Sequence, residues 1–153
     1  MKKNLKKILV ICVLVILQIG NCMPTYAQQT TEAIPKLTTV NQVSANQIEI
    51  RYDMPVDLAK GEKATNYWVQ SVTQAIPSGI ATLGKNDEVS ANNSLTANKV
   101  QIKVKDNEQT TFTLTFSQPI TSGTEYKLII CYVTIPGGAP YTGDNGSKVF
   151  IGK

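Results

Sequence analysis

Beyond residue 36, apolar and polar positions alternate along much of the chain with period two, the mark of strands that bury one face. Lys36–Val43 predicts a first strand on Leu37 and Val40. From Gln47 to Asp53, Ile48, Ile50 and Tyr52 alternate with Glu49, Arg51 and Asp53, and Met54-Pro55 ends the pattern. Asn66–Val72 predicts a strand with Tyr67 and Val69 on one face and Trp68, Gln70 and Val72 on the other. Gly79–Leu83 reads as a short strand after the turn Pro77-Ser78-Gly79. Val100, Ile102 and Val104 then alternate with Gln101, Lys103 and Lys105, and Phe112, Leu114 and Phe116 with Thr113 and Thr115. Lys148–Ile151 closes the series.

Gly123–Val133 differs from the others because it is apolar on nearly both faces. Tyr126, Leu128, Ile130 and Tyr132 share one face, and Lys127, Ile129, Cys131 and Val133 the other. Such a strand is expected at the centre of a sheet, covered on both sides. The connectors carry no sustained helical period. Asp57–Lys63 is a charged link with room for one helical turn, Asn86–Asn98 a surface loop with little to bury, and Pro136–Gly146 a Gly- and Pro-rich loop. Short strands at this spacing predict an all-β, antiparallel sandwich of seven to eight strands in one domain.

Three segments carry a family resemblance: I-E-I-R-Y-D-M-P-V-D (48–57), N-Y-W-V (66–69) and P-I-T-S-G-T-E-Y-K-L (119–128). They resemble bacterial Ig-like domains of the surface-layer type, and the Gly-Thr-Glu-Tyr part also resembles fibronectin type III domains. Gly143-Asp144-Asn145-Gly146 is an approximate match to the turn such domains carry in their last loop. The resemblance implies an Ig-like sandwich in which Tyr126 pins a corner by a hydroxyl-to-backbone hydrogen bond. It also places Leu128 where antibody domains have a cysteine, with Ile50 as its opposite number, so that apolar packing replaces a cross-sheet disulfide. Because it rests on structural residues, it implies a fold and says little of function.

The first residues read as an address. Lys2, Lys3, Lys6 and Lys7 precede the apolar run Ile8–Ile19, and Met23–Ala27 offers small residues at a cleavage site. A secretory signal over 1–27, cut after Ala27, is expected, with lipoprotein processing at Cys22 as the rival; Asn21 suits that rival poorly. A flexible lead over 28–35 and the sandwich over 36–153 follow.

This reading changes the charge balance. The net +4 comes from the four leader lysines; beyond them Arg51 and ten lysines meet eleven acidic residues. No basic patch points to nucleic acid, and no membrane insertion is expected after cleavage. Of the three cysteines only Cys131 remains, either as a small buried hydrophobe or as a thiol that pairs between molecules.

The candidate chemistry is sparse. With no histidine in the chain, Ser-His-Asp and Cys-His catalysis and the usual zinc sites are excluded. No phosphate loop or nucleophile elbow is present, and no enzyme activity or cofactor is expected. Asp87-Glu88 and Asp144-Asn145 offer oxygen ligands for calcium without EF-hand spacing, and a plain turn is the reading preferred for them. Trp68 either faces outward as a sugar or protein contact or lies beneath the 86–98 loop; Tyr141 stands in the Gly-Pro loop as a second candidate. The expectation is a secreted, extracellular or surface-associated interaction and adhesion module, whose partner is an extracellular protein or glycan. The alternatives are a carbohydrate-binding module on Trp68 and Tyr141, and an Ig-like protease inhibitor.

Overall fold

The computed structural model describes residues 33–153. The signal peptide, the Cys22 alternative and residues 28–32 of the lead lie outside them. Seven strands form two antiparallel sheets: β1 (Leu37–Ser44), β2 (Gln47–Tyr52), β3 (Tyr67–Ser71), β4 (Val100–Val104), β5 (Thr111–Phe116), β6 (Glu125–Cys131) and β7 (Asp144–Ile151). One sheet has the order β1-β2-β5-β4 and the other β3-β6-β7. The protein is a β-sandwich.

The period-two pattern is realised directly on the inner faces. Ile48, Ile50 and Tyr52 on β2, Phe112, Leu114 and Phe116 on β5, and Tyr126, Leu128 and Ile130 on β6 are all buried in one cluster between the sheets. Ile50 and Leu128 stand on opposite sheets of that cluster. Among the described residues, the buried hydrophobic core runs from Leu37 to Phe150. β6 is the centre of its sheet, as its two apolar faces require.

The connectors hold the sandwich at specific points. A single helical turn, α1 (Leu58–Gly61), is capped by the Asp57 carboxylate, which accepts from the Lys60 N–H at 3.0 Å. Gly61 packs so closely on Val56 and the Phe112 ring that a Cβ would come within 2.7 Å of the valine. The β4–β5 turn is closed by Asp106, whose carboxylate accepts from the Thr110 N–H and hydroxyl at 2.9 and 2.8 Å. Gln109 in the same turn sits at φ 58°, where a side chain is strained.

Several expectations are corrected. Gly79–Leu83 is no strand: Gly79 turns at φ 60°, and the segment touches β3 through a single parallel bridge between Leu83 and Gln70. β7 begins at Asp144, four residues before the apolar pattern, because pairing with β6 carries Gly146 and Ser147 despite their weak strand preference. The face assignment of β6 fails at its end. A register shift after Ile130 and a left-handed Tyr132 (φ 68°) turn Val133 into the main core and Tyr132 outward. The 86–98 loop buries Leu95 completely, its N–H donating to the Tyr67 carbonyl at 2.8 Å. Pro35, assigned to the flexible lead, is buried and accepts from the Asn145 amide at 2.9 Å.

Tyr126 is also corrected. Its ring is buried and stacks on Phe150 at 5.5 Å, but among the described residues its hydroxyl makes no hydrogen bond to backbone. The buried tyrosine network lies elsewhere. Tyr67 donates to the Gly61 carbonyl at 2.5 Å, which leaves the Tyr52 hydroxyl, 2.8 Å away, to donate to Tyr67. Burial raises the pKa of both phenols well above the usual range, and each is held neutral. The pattern marked Tyr52 and Tyr67 as core; their pairing across the sandwich needs the fold.

Candidate functional site

The residues singled out for binding are placed by β3, β6 and the loops over them. On the outer face of β3 the Trp68 side chain is covered, with 0% exposure. Its indole N–H donates to the Ser90 carbonyl at 2.9 Å and to Asn93 Oδ1 at 3.1 Å. Asn93 is held in turn by the Ser90 N–H and by the Glu88 carbonyl. The short turn Ala91–Asn93 therefore closes over the ring: of the two readings for Trp68 the structure takes the one beneath the 86–98 loop, and the exposed sugar or protein contact is corrected. Trp68, Leu83 and Cys131 form a second small cluster outside the main core.

Cys131 belongs to that cluster and is buried. Burial, with the nearby Asp144 carboxylate as a lesser cause, raises its pKa, so the thiol is protonated and poorly placed to pair between molecules. It shares its nominal face with Lys127, but packing with Trp68, Leu83 and Ile129 buries it.

Tyr141 folds back over its own loop. Its hydroxyl donates to the Asp144 carbonyl at 3.0 Å, and the ring lies against Gly143, where a Cβ would have to push it aside. The structure does not bring Tyr141 together with Trp68 as an aromatic platform. The aromatic that the sequence reading missed is Tyr132, 40% exposed and edge-on to Trp68 at 6.0 Å. Strict alternation had placed it inside, and the bulge that turns it out has no clear local signal.

The calcium candidates are engaged in turns. Asn145 is buried, with Oδ1 accepting from the Val133 N–H at 2.9 Å and Nδ2 donating to the carbonyls of Pro35 and Val133. Its oxygen is directed at backbone, which corrects its candidacy as a ligand. Asp144 Oδ1 accepts from the Gly146 N–H, and Asp87 Oδ2 from the Gly84 N–H. Among the described residues no cluster of three or more His, Cys, Asp or Glu side chains could hold a metal ion. No helix among them is long and apolar enough to cross a membrane.

Open grooves among the described residues include one of about 360 Å³ between β1 and β7 and one of about 510 Å³ along the outer edge of β4, facing Glu62–Thr65 and Ala97. Glu62 spans the second, accepting from the Val104 N–H and from Lys103 Nζ, each at 3.0 Å. Partial burial pulls the Glu62 pKa upward, but these two partners outweigh it and hold the carboxyl below its usual value.

No protein family and no curated protein matches the chain. Solved structures do, among them pieces of a bacterial surface-layer protein, SbsC. The chain is similar to the N-terminal part of SbsC with a TM-score of 0.53 and to the span SbsC(31–844) with 0.51, at 16% identity in each case. A structure of SbsC domains 1–6 gives 0.50 at the same identity. Each match covers 78% of this chain, which spans only 14 to 24% of the SbsC chains. At this identity the likeness speaks for the fold: an all-β domain of the kind found in a surface-layer protein.

Proposed function

We propose that this chain is a secreted, non-catalytic Ig-like module that works at the bacterial cell surface through contacts with an extracellular protein. The observation that carries the reading is the overlay of most of the chain on part of SbsC, a protein of the surface layer. The strand orders β1-β2-β5-β4 and β3-β6-β7 support the Ig-like part, since they match the order of a constant-type Ig sandwich. Two features depart from that type: the β3 tryptophan faces away from the main core, and Tyr126 lacks the corner hydrogen bond.

The test is fractionation of the producing bacterium after expression of the tagged full chain, followed by addition of purified residues 28–153 to intact cells. The expected result is recovery in the medium or envelope, with saturable binding that protease treatment of the cells abolishes. Retention in the cytosol, or binding that survives protease treatment and is competed by soluble glycan, overturns the reading.

A further inference from the structure

The four sheet edges are not treated alike. The edge of β3 is occupied: Leu83 and Thr82 donate to the Val69 carbonyl, Ser71 donates to Leu83, and Leu95 donates to Tyr67. β1 and β7 lie beside each other, and the Gln42 amide bonds both the N–H and the carbonyl of Lys153. The edge of β4 is different. Lys99 and Lys105 bond to Ser117 and Thr111 across the β4–β5 ladder, so by alternation Gln101 and Lys103 also point their backbone groups at β5. Val100, Ile102 and Val104 therefore point theirs outward. The Val100 N–H is met by the Thr96 carbonyl and the Val104 N–H by Glu62. Among the described residues nothing meets the Ile102 N–H or the carbonyls of Ile102 and Val100.

We propose that this edge takes an extended peptide segment of another protein as a fifth strand, with an apolar residue opposite Ile102 and carboxylates on either side of it. The backbone requirement follows from the unpaired groups: an antiparallel guest residue opposite Ile102 exchanges both N–H···O bonds with it, and a further guest N–H meets the Val100 carbonyl. Side-chain preference follows from alternation. A guest residue opposite Ile102 points to the core side, where Ala64 packs at the margin of the main cluster and Ala97 and Thr65 line the groove. Small walls there leave room for a medium-sized apolar side chain. Its two neighbours point the other way, beside Gln101 and Lys103. Lys103 and Glu62 pair with each other at 3.0 Å, which leaves Lys63 as the uncompensated charge among the lining residues, so acidic neighbours fit. A second copy offering the same edge brings its own Lys63 to an equally positive rim and is the poorer occupant. The proposal gives the protein-contact reading above a place on the molecule, and peptide capture is measured independently of envelope binding, so either can fail alone.

The experiment is a titration of ¹⁵N-labelled residues 28–153 with a blocked peptide, Thr-Thr-Glu-Val-Glu-Thr-Thr, to about 1 mM. The expected result is a shift of the Ile102 amide resonance and hydrogen exchange slowed there roughly tenfold, with no effect from the same peptide carrying lysine in place of both glutamates. Lys63→Glu, an exposed change outside both clusters, should weaken the acidic peptide roughly tenfold and admit the lysine peptide. An Ile102 resonance unmoved by either peptide overturns the proposal, as does an affinity indifferent to Lys63→Glu. Shifts at Ile102 that grow with protein concentration alone make a second copy the occupant and overturn the peptide.

Discussion

The two faces of the sheet β3-β6-β7 are both buried in part, but by different means. On the inner face, Tyr67, Val69, Leu128 and Ile130 meet the opposing sheet, and each is reached by following a strict alternation. On the outer face, Trp68, Leu83 and Cys131 are covered by a connector rich in Asn and Ser that carries no apolar period. One face is closed by strands that specify themselves locally. The other is closed by hydrogen bonds to a single indole, while Leu95 of the same connector anchors it in the main core. The lesson is that a large side chain can order a polar loop, whereas the loop's own composition gives no sign that it will be ordered.

Two truncations test whether the faces differ in kind. Trp68→Ala should cost about 3–5 kcal/mol, and its effect should include loss of hydrogen-exchange protection in the 83–95 segment before global unfolding. Leu128→Ala should cost about 2–5 kcal/mol while leaving the relative protection of that segment unchanged. Equal loss of protection in both variants, read by exchange under native conditions, would erase the distinction.

A smaller effect sharpens the inner face. Tyr67→Phe removes the partner of both the Tyr52 hydroxyl and the Gly61 carbonyl in a buried site, and should cost about 1–3 kcal/mol in denaturant melts. Tyr126→Phe, to which a lost corner hydrogen bond would assign about 1–2 kcal/mol, should change stability little, because no backbone hydrogen bond is lost. A larger loss for Tyr126→Phe than for Tyr67→Phe would reverse this assignment.

The β4–β5 turn gives the smallest effects, outside both faces. Gln109→Gly relieves a left-handed side chain and should stabilise the protein by about 0.5–1 kcal/mol. Asp106 titrates in the same turn. Hydrogen bonds from Thr111 and Thr110 overcome the upward pull of partial burial and hold its carboxyl at about 2, below an ordinary 3.8. Because the folded state depresses this pKa, its contribution is complete above the ordinary value and is lost as pH falls through the folded one. Melts of the wild type and Asp106→Asn should therefore differ most above about pH 4 and converge toward about pH 2. Solvent screening keeps the difference small.

Much of the fold was legible in particular residues. Ile48, Ile50, Phe112 and Leu114 alternate with polar neighbours, and each is buried on the face that alternation assigns, as are Tyr126 and Leu128. The candidate sites were far less legible. Trp68 was assigned correctly to the outer face, but whether that face is wet depends on residues more than twenty positions away. Tyr132 and Val133 exchanged roles because one bulge inverts every assignment after it. Asn145 looked like a turn or calcium residue and is a buried clip between Pro35 and Val133, a function visible only once those three segments meet.

From the chain alone, local periodicity determined that this protein is a sandwich of short strands with Gly123–Val133 at a sheet's centre, because side-chain alternation is a property of neighbouring residues. It also ruled out histidine chemistry, which depends on composition. Tertiary structure decided which edges and faces stay open, since a free N–H, a covered indole or a filled groove depends on what distant segments bring beside it. The open edge of β4 is such a case: V-Q-I-K-V announces a strand, and only its neighbours leave one side of it unpaired.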